Sequence, residues 1–236
     1  REDLKKGKLR ALHERSYIDD PTRILRAIRF EQRYNFRIDS HDLELMREAV
    51  SLGMLKRLKK ERLKEEIILA LSEKQPLKIM RRIDEICGFS FIHAAIKFDS
   101  EMMSQFYRLQ SSLNWFQSTF AGRLPLDKWL SYATLLLDNL NGEEAIKIFK
   151  RFAFKKKEIS KIIFYRENVA DLLTRLNADN LKPSEVYKLL RPFANEILLI
   201  ILAKTSFPRI KRRIISFLKK YIWIKIDIAG EDIKKM

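Results

Sequence analysis

The chain has 236 residues, 46% of them hydrophobic, and its 48 lysines and arginines against 31 acidic residues give a net charge of +17. This composition excludes a disordered chain, and six glycines, six prolines and frequent Leu, Ile, Lys and Glu favour helices. A single cysteine, Cys87, excludes an internal disulfide, and no apolar run is long enough to span a bilayer. We therefore predict an all-α, cytoplasmic protein without a membrane partner.

Glycine, proline and asparagine residues mark the breaks between the predicted helices. One short strand is predicted from Lys8 to Leu12, where apolar and polar residues alternate before a loop. No break is long enough to force separate domains. Helices are predicted over residues 21–35, 40–52, 58–72, 76–87, 100–119, 126–138, 142–153, 156–176, 183–190, 194–205 and 208–222.

The most informative segment is Asp19 to Phe30, where two carboxylates precede a helix that carries a row of arginines. Asp20 can cap the first turn, and the fixed φ of Pro21 suits a helix start. At 100° per residue, apolar side chains gather on one side of this helix and guanidinium groups on the other. The apolar side holds Ile24, Leu25 and Ile28, and the arginine row holds Arg23, Arg26, Arg29 and Arg33.

These residue types can recognise a nucleotide. The Asp20 carboxylate can accept a hydrogen bond from the exocyclic amino group of cytosine or adenine, while Arg23 donates to the neighbouring ring acceptors. The remaining arginines would then face phosphates. By spacing alone, a capped amphipathic helix with solvated or paired arginines explains the pattern better.

The stretch from Arg1 to Phe36 resembles the junction between head and neck in the class II tRNA nucleotidyltransferase and bacterial poly(A) polymerase family. That family selects the base with an acid-Asp-x-x-Arg pattern, which here reads Asp19-Asp20-Pro21-Thr22-Arg23. The resemblance implies that Asp20 and Arg23 recognise the base of ATP or CTP. It also implies that Arg26 and Arg29 contact the nucleotide. Asp19, where many members have Glu, is assigned to the nucleotide-binding set as well.

A second segment, Leu55 to Leu71, carries Glu61-Arg62 and Glu65-Glu66, which resemble the Glu-Arg-x-x-Glu helix of the family's neck. The resemblance implies that this helix braces the nucleotide-binding helix. The alternative is an exposed helix stabilised by pairs four residues apart. Weaker similarity to the body and tail of longer bacterial members extends to residues 182–187 and 230–233.

The family's catalysis belongs to a head domain whose Asp-x-Asp pair binds two Mg²⁺ ions. Two-metal chemistry needs closely set carboxylates, and the sequence contains no Asp-x-Asp. We therefore assign no catalytic or metal-binding residue here. Mg²⁺ is expected only in a head that precedes residue 1 or forms a separate chain, the chain is expected to be cut at both ends, and this fragment is predicted to be inactive. The dipeptide His41-Asp42 is interpreted as part of a capped helix start rather than a metal site.

The positive charge is concentrated towards the end of the chain. Residues 1–66, 67–144 and 145–236 carry net charges of +5, −1 and +13. Such an excess favours binding to RNA phosphates, although an anionic membrane surface would also satisfy it. Aromatic residues interleave the basic ones, and core packing is the favoured explanation for them. The predicted RNA-binding residues are Lys150, Arg151, Lys155, Lys156, Lys157, Lys161, Arg209, Lys211, Arg212, Arg213, Lys219 and Lys220.

Together these patterns predict the neck, body and tail of a tRNA nucleotidyltransferase that adds CMP, AMP or both to tRNA 3′ ends without a nucleic-acid template. Residues 1–18 are the remnant of the head junction, 19–90 the neck, 91–144 the body and 145–236 a basic body and tail that bind the tRNA acceptor arm. The competing hypothesis is a non-catalytic helical module that binds RNA or scaffolds another protein.

Overall fold

The computed structural model describes residues 2–224, and helices dominate this part of the chain. The predicted all-α class is confirmed, and the segment 230–233 lies outside the described residues. In chain order the elements are α1 (Glu2–Lys5), β1 (Lys8–Leu9), α2 (Ser16–Asp19), α3 (Thr22–Tyr34), β2 (Arg37–Ile38), α4 (Ser40–Ser51), α5 (Met54–Arg57), α6 (Lys60–Ser72), α7 (Pro76–Cys87), α8 (Ser100–Phe120), α9 (Lys128–Leu136), α10 (Gly142–Arg151), α11 (Lys156–Asn177), α12 (Pro183–Leu190), α13 (Asn195–Lys204) and α14 (Pro208–Lys219), followed by a 3₁₀ turn at Tyr221–Trp223.

Short polar side chains begin several of these helices. Asp39 accepts a hydrogen bond from the amide of His41, at 3.1 Å, and Asp99 accepts one from the amide of Met102, at 2.9 Å. Each bond satisfies an N–H group that has no partner within the helix. The interpretation of His41-Asp42 as part of a capped helix start is therefore confirmed.

The predicted strand is shorter than expected and has a partner that the sequence pattern did not indicate. Lys8 and Leu9 pair in parallel with Arg37 and Ile38. The strand ends there because the amide of Ala11 donates to both carboxylate oxygens of Asp42, at 3.1 Å, instead of to a neighbouring strand. The prediction of a strand as far as Leu12 was therefore wrong.

The helices enclose a continuous apolar core. Helix α3 packs against α6 and α7, and α8 packs along α13, in which residues 197–203 are all buried. Phe149, Phe152 and Phe217 of the basic third are buried, and Phe154 and Tyr221 are partly buried against the core, which confirms core packing for them. Trp223 is 45% exposed, so the expectation of core packing was wrong for this ring. Cys87 is also buried, and burial raises the pKa of its thiol to about 12. Among residues 2–224, no helix has the length and apolar character needed to cross a membrane.

Candidate nucleotide-binding site

Asp20 lies in the short connection between α2 and α3, with its carboxylate fixed from two sides. One oxygen accepts from the amide and the hydroxyl of Thr22, at 3.2 and 2.6 Å, and the other accepts from Nη2 of Arg62, at 3.0 Å. Burial works to raise the pKa of this carboxyl, but the hydrogen bonds from Thr22 and Arg62 outweigh it and lower the pKa below its ordinary value. Asp20 is therefore held as an ionised acceptor, with 26% of its side chain exposed.

Arg23 lies one turn further along α3, beside Asp20. Its Nε is 4.0 Å from Oδ2 of Asp20, its Nη1 donates to the hydroxyl of Ser16, and 46% of the side chain is exposed. A hydrogen-bond acceptor and a guanidinium donor are thus adjacent, and both are partly open to solvent. The structure brings together the two residues that the sequence assigned to base recognition.

Helix α6 braces this part of α3, as the neck resemblance implied. Arg62 donates to Thr22 as well as to Asp20, and Oε1 of Glu66 accepts from Nη1 of Arg26, at 2.9 Å. Glu65, four positions after Glu61 in the predicted pattern, is exposed. The bracing interpretation is confirmed, with Glu66 making the carboxylate contact.

Arg29 departs from the exposed arginine row that helical spacing suggested. Its side chain is only 7% exposed, and its guanidinium lies 3.5 Å from Glu66 and 3.5 Å from Glu73. Glu66 and Glu73 are seven residues apart, so both face the same side of α6 and its end. The two carboxylates contact three arginines that recur every three or four residues on α3: Arg26, Arg29 and Arg33. That complementary spacing was present in the sequence and would have predicted the contact.

Arg26 and Arg33 flank the buried arginine and remain about half exposed, at 48% and 49%. Arg26 uses one nitrogen on Glu66, and Arg33 contacts Glu73 at 3.3 Å. Arg26 also lies 5.8 Å from the centre of the Phe30 ring.

Asp19 differs from Asp20 in its surroundings. It ends α2, its side chain is 50% exposed, and its contact is with Nε of Arg15 at 3.8 Å. The two adjacent carboxylates therefore have separate partners. Among residues 2–224, no three His, Cys, Asp or Glu side chains are grouped so that they could hold a metal ion.

A second buried carboxylate, Asp42, contacts Tyr17 of α2, the helix that precedes Asp20. Tyr17 is buried next to Asp42, and burial together with that carboxylate raises the pKa of its hydroxyl. Asp42 in turn accepts from the amide of Ala11. Asp42, which the His-Asp dipeptide had singled out, therefore contacts both α2 and the backbone at Ala11.

The predicted RNA-binding residues fall into two groups in the structure. Three of them support the fold: Lys161 pairs with the buried Glu196 at 3.1 Å, Arg209 pairs with Asp179 at 2.8 Å, and Arg213 donates to the last carbonyls of α11. The others make no ion pair within residues 2–224 and leave their charge unneutralised; they are Lys150, Arg151, Lys155, Lys156, Lys157, Lys211, Arg212, Lys219 and Lys220.

The two basic clusters lie at opposite ends of α11. Residues 155–157 begin this helix, whereas Arg209 and Arg213 of α14 contact residues 176–179 at its end. A helix of 22 residues is about 33 Å long. The two clusters are therefore separated by the length of α11 rather than gathered in one patch.

Comparison with known proteins confirms the resemblance. No protein-family model matches the chain. An A-adding tRNA nucleotidyltransferase of Geobacter sulfurreducens is 30% identical over 239 residues, which cover 99% of this chain and 27% of the relative. A tRNA-processing enzyme solved with CTP has a TM-score of 0.86 at 28% identity, over 99% of this chain and 63% of that protein.

A Thermotoga maritima CCA-adding enzyme in complex with tRNA has a TM-score of 0.81 at 29% identity, over 100% of this chain and 56% of that enzyme. The chain thus spans only part of each relative. In sequence and in structure, it closely matches A-adding and CCA-adding tRNA nucleotidyltransferases over 99% of its length.

Proposed function

Given this match, we propose that the chain is the nucleotide-selecting and tRNA-binding helical part of a tRNA nucleotidyltransferase that adds CMP, AMP or both to tRNA 3′ ends. The observation that carries the proposal is the adjacency of Asp20 and Arg23, both partly exposed and both fixed by neighbours. A carboxylate acceptor beside a guanidinium donor matches the edge of cytosine and of adenine, each of which presents an amino group next to a ring acceptor. The proposed division is a neck over residues 19–90, a body over 91–144 and a basic body and tail from 145 onwards.

In this mechanism the protein side chains replace a template base. Asp20 accepts from the exocyclic amino group, and Arg23 donates to the ring acceptor beside it. The bonds from Thr22 and Arg62 keep the carboxylate ionised and limit its rotation. Preorganisation of this kind lowers the entropic cost of binding. Uracil and guanine present a carbonyl oxygen where cytosine and adenine present the amino group, so they would face the Asp20 carboxylate with a second acceptor.

The remaining arginines of α3 divide their roles under this proposal. Arg26 retains free N–H groups for phosphate or ribose. Arg29 is proposed as a nucleotide contact by the family resemblance, but its burial between Glu66 and Glu73 supports a positioning role, because it holds α6 against α3. Asp19, half exposed beside Asp20, is proposed to lie at the edge of the bound nucleotide.

The phosphoryl-transfer chemistry and the Mg²⁺ ions are proposed to belong to a head domain, in the same chain or in a partner chain. The support is the sequence itself, because two-metal transfer needs a close carboxylate pair and no Asp-x-Asp occurs in these residues. In the complete enzyme, the residues described here would select the nucleotide and hold the tRNA while the head transfers the nucleotidyl group.

An incorporation assay tests this division of labour. Supplied with tRNA that lacks its 3′ end, Mg²⁺ and CTP or ATP, the chain by itself should incorporate no nucleotide. Joined to its proposed head, it should incorporate CMP, AMP or both but neither UMP nor GMP. Incorporation by the chain alone would place the polymerase chemistry within these residues and contradict the proposal.

Affinity for tRNA should depend steeply on salt, because the unneutralised lysines bind phosphate with release of counterions. Each phosphate contact contributes about 0.7 to 0.9 to the slope of log affinity against log salt concentration. Replacing Lys155, Lys156 and Lys157 by glutamine should therefore lower the slope by about 2. Filter binding of tRNA from low to moderate salt measures it.

The matched control replaces three exposed lysines of the nearly neutral middle section, Lys74, Lys78 and Lys97, by glutamine. These changes remove the same charge from outside the proposed tRNA surface, so the slope should change little. Equal slopes for both triple variants would contradict the assignment of the start of α11 to tRNA binding.

A further inference from the structure

A groove of about 350 Å³ runs between α8 and α14, away from the nucleotide site. Its walls combine aromatic, aliphatic, cationic and small polar side chains and contain no carboxylate. They include Tyr107, Arg108, Ser111, Trp115, Lys211 and Ile215. Except for Lys211, these residues lie outside the set that the sequence assigned to RNA.

The ring of Tyr107 is exposed, whereas Trp115 is partly buried against the core. Tyr107 is 65% exposed, whereas Phe106 and Phe116 are buried in the core. Tyr107, Ser111 and Trp115 recur every four residues and therefore form one stripe along the helix. Within residues 2–224 the Tyr107 ring stacks on no other aromatic side chain. Its face is available to a planar ligand.

Two lysines near this stripe lack acidic partners among the described residues. Neither Lys211 nor Lys219 lies within 4.0 Å of a carboxylate of the described residues, and Nζ of Lys219 is 5.8 Å from the centre of the Trp115 ring. Arg108, in contrast, is engaged by Glu101 and by the carbonyl of Ala203. Lys211, which lines the groove together with Tyr107, and Lys219, which lies by Trp115, are therefore available to bind an anion.

The serine hydroxyls of the groove already donate hydrogen bonds within α8, so they are not free to donate to the edge of a base. The hydroxyl of Ser111 donates to the carbonyl of Tyr107, and that of Ser112 donates to the carbonyl of Arg108, both at 3.1 Å. An exposed aromatic ring with flanking cations and few free hydrogen-bonding groups is typical of sequence-tolerant binding to unpaired nucleotides.

We propose that this groove binds an unpaired nucleotide of the tRNA, with the base stacked on Tyr107 and the flanking phosphates bound by Lys211 and Lys219. The inference rests on the proposed tRNA binding and adds a specific contact to it. Bases in an A-form duplex are stacked on each other and inaccessible to a ring, so the groove selects loops and unpaired ends. An acidic protein segment would need only the lysines and would leave the exposed ring unused.

The test compares tRNA affinity of the wild-type chain with that of Tyr107→Ala and Tyr107→Phe. Loss of one base stack should weaken tRNA binding about 5- to 150-fold in Tyr107→Ala, and Tyr107→Phe should retain most of the affinity. Binding to a blunt RNA duplex should be the same for all three proteins. Phe207→Ala is the matched control, because Phe207 is 53% exposed next to the basic helix α14 but does not line the groove.

The outcomes separate this inference from the proposed function. If the wild-type chain binds tRNA and Tyr107→Ala binds it equally well, the groove is not a nucleotide subsite while tRNA binding stands. If Tyr107→Ala and Phe207→Ala weaken binding equally, the effect is not specific to the groove and the inference fails. If the wild-type chain binds no tRNA, both fail. Ultraviolet cross-linking of thiouridine-substituted tRNA to the peptide that contains Tyr107 would support the contact directly.

Discussion

Replacing Arg29 by methionine should destabilise the protein by about 3 kcal/mol, the lower end of the cost of removing one member of a buried ion pair. Methionine nearly fills the volume of the arginine stem but leaves Glu66 and Glu73 with one cation fewer. Both carboxylates are largely buried, with 8% and 15% of their side chains exposed. Arg26 and Arg33 still neutralise them in part, which keeps the cost at that lower end. Urea unfolding measures the change.

Arg33→Met is the matched control, since Arg33 contacts the same Glu73 carboxylate but is 49% exposed. Exposed ion pairs contribute about 0 to 1 kcal/mol, so this variant should be nearly as stable as the wild type. The double variant Arg29→Met/Glu66→Gln removes one of the two carboxylates and should recover part of the lost stability. Equal stabilities of Arg29→Met and Arg33→Met would show that burial does not set the contribution of Arg29.

Local signals in the sequence were sufficient for the elements that carry the site. Asp20 and Pro21 predicted the start of α3 to within one residue, because caps and proline act on the nearest turn. Asp39 likewise predicted the start of α4. The all-α class followed from composition and from apolar periodicity, which depend on neighbours within a helix.

Contacts between elements were harder to predict. Strand β2 forms because Arg37 and Ile38 pair with β1, which is distant in sequence. With only two residues, it is too short to show the alternation of apolar and polar side chains by which a strand is recognised. The burial of Arg29 depends on α6 lying against α3, and the charge on Arg29 suggested exposure instead. A one-turn helix such as α2 is also invisible to periodicity, although it positions the Ser16 hydroxyl that holds Arg23.

The same reasoning explains why the basic third was predicted only in outline. Charge counting located the excess between residues 145 and 236, but it could not separate cations that hold the fold from those that remain free. Lys161 lies over the buried carboxylate of Glu196, a partner 35 residues away. Tyr107, for which we propose an RNA contact, lies in the nearly neutral middle section, where charge counting indicated none.

Replacing Arg23 by alanine should weaken binding of CTP and ATP about 5- to 150-fold in the chain joined to its proposed head. A side chain that makes a paired hydrogen-bond contact with a base contributes about 1 to 3 kcal/mol, which corresponds to that range. Binding of inorganic tripolyphosphate should be unchanged, because Arg23 is proposed to contact the base. Isothermal titration of CTP, ATP and tripolyphosphate measures all three affinities.

Arg33→Ala is the matched control for this experiment, because Arg33 lies on the same helix with similar exposure but ten residues beyond Arg23. Its affinities for CTP and ATP should equal those of the wild type. If Arg23→Ala weakens tripolyphosphate binding as much as CTP binding, Arg23 contacts phosphate and does not read the base. If Arg23→Ala binds CTP and ATP normally, the template role fails, and the arginine row is better explained as the electrostatic surface of a helical RNA-binding module.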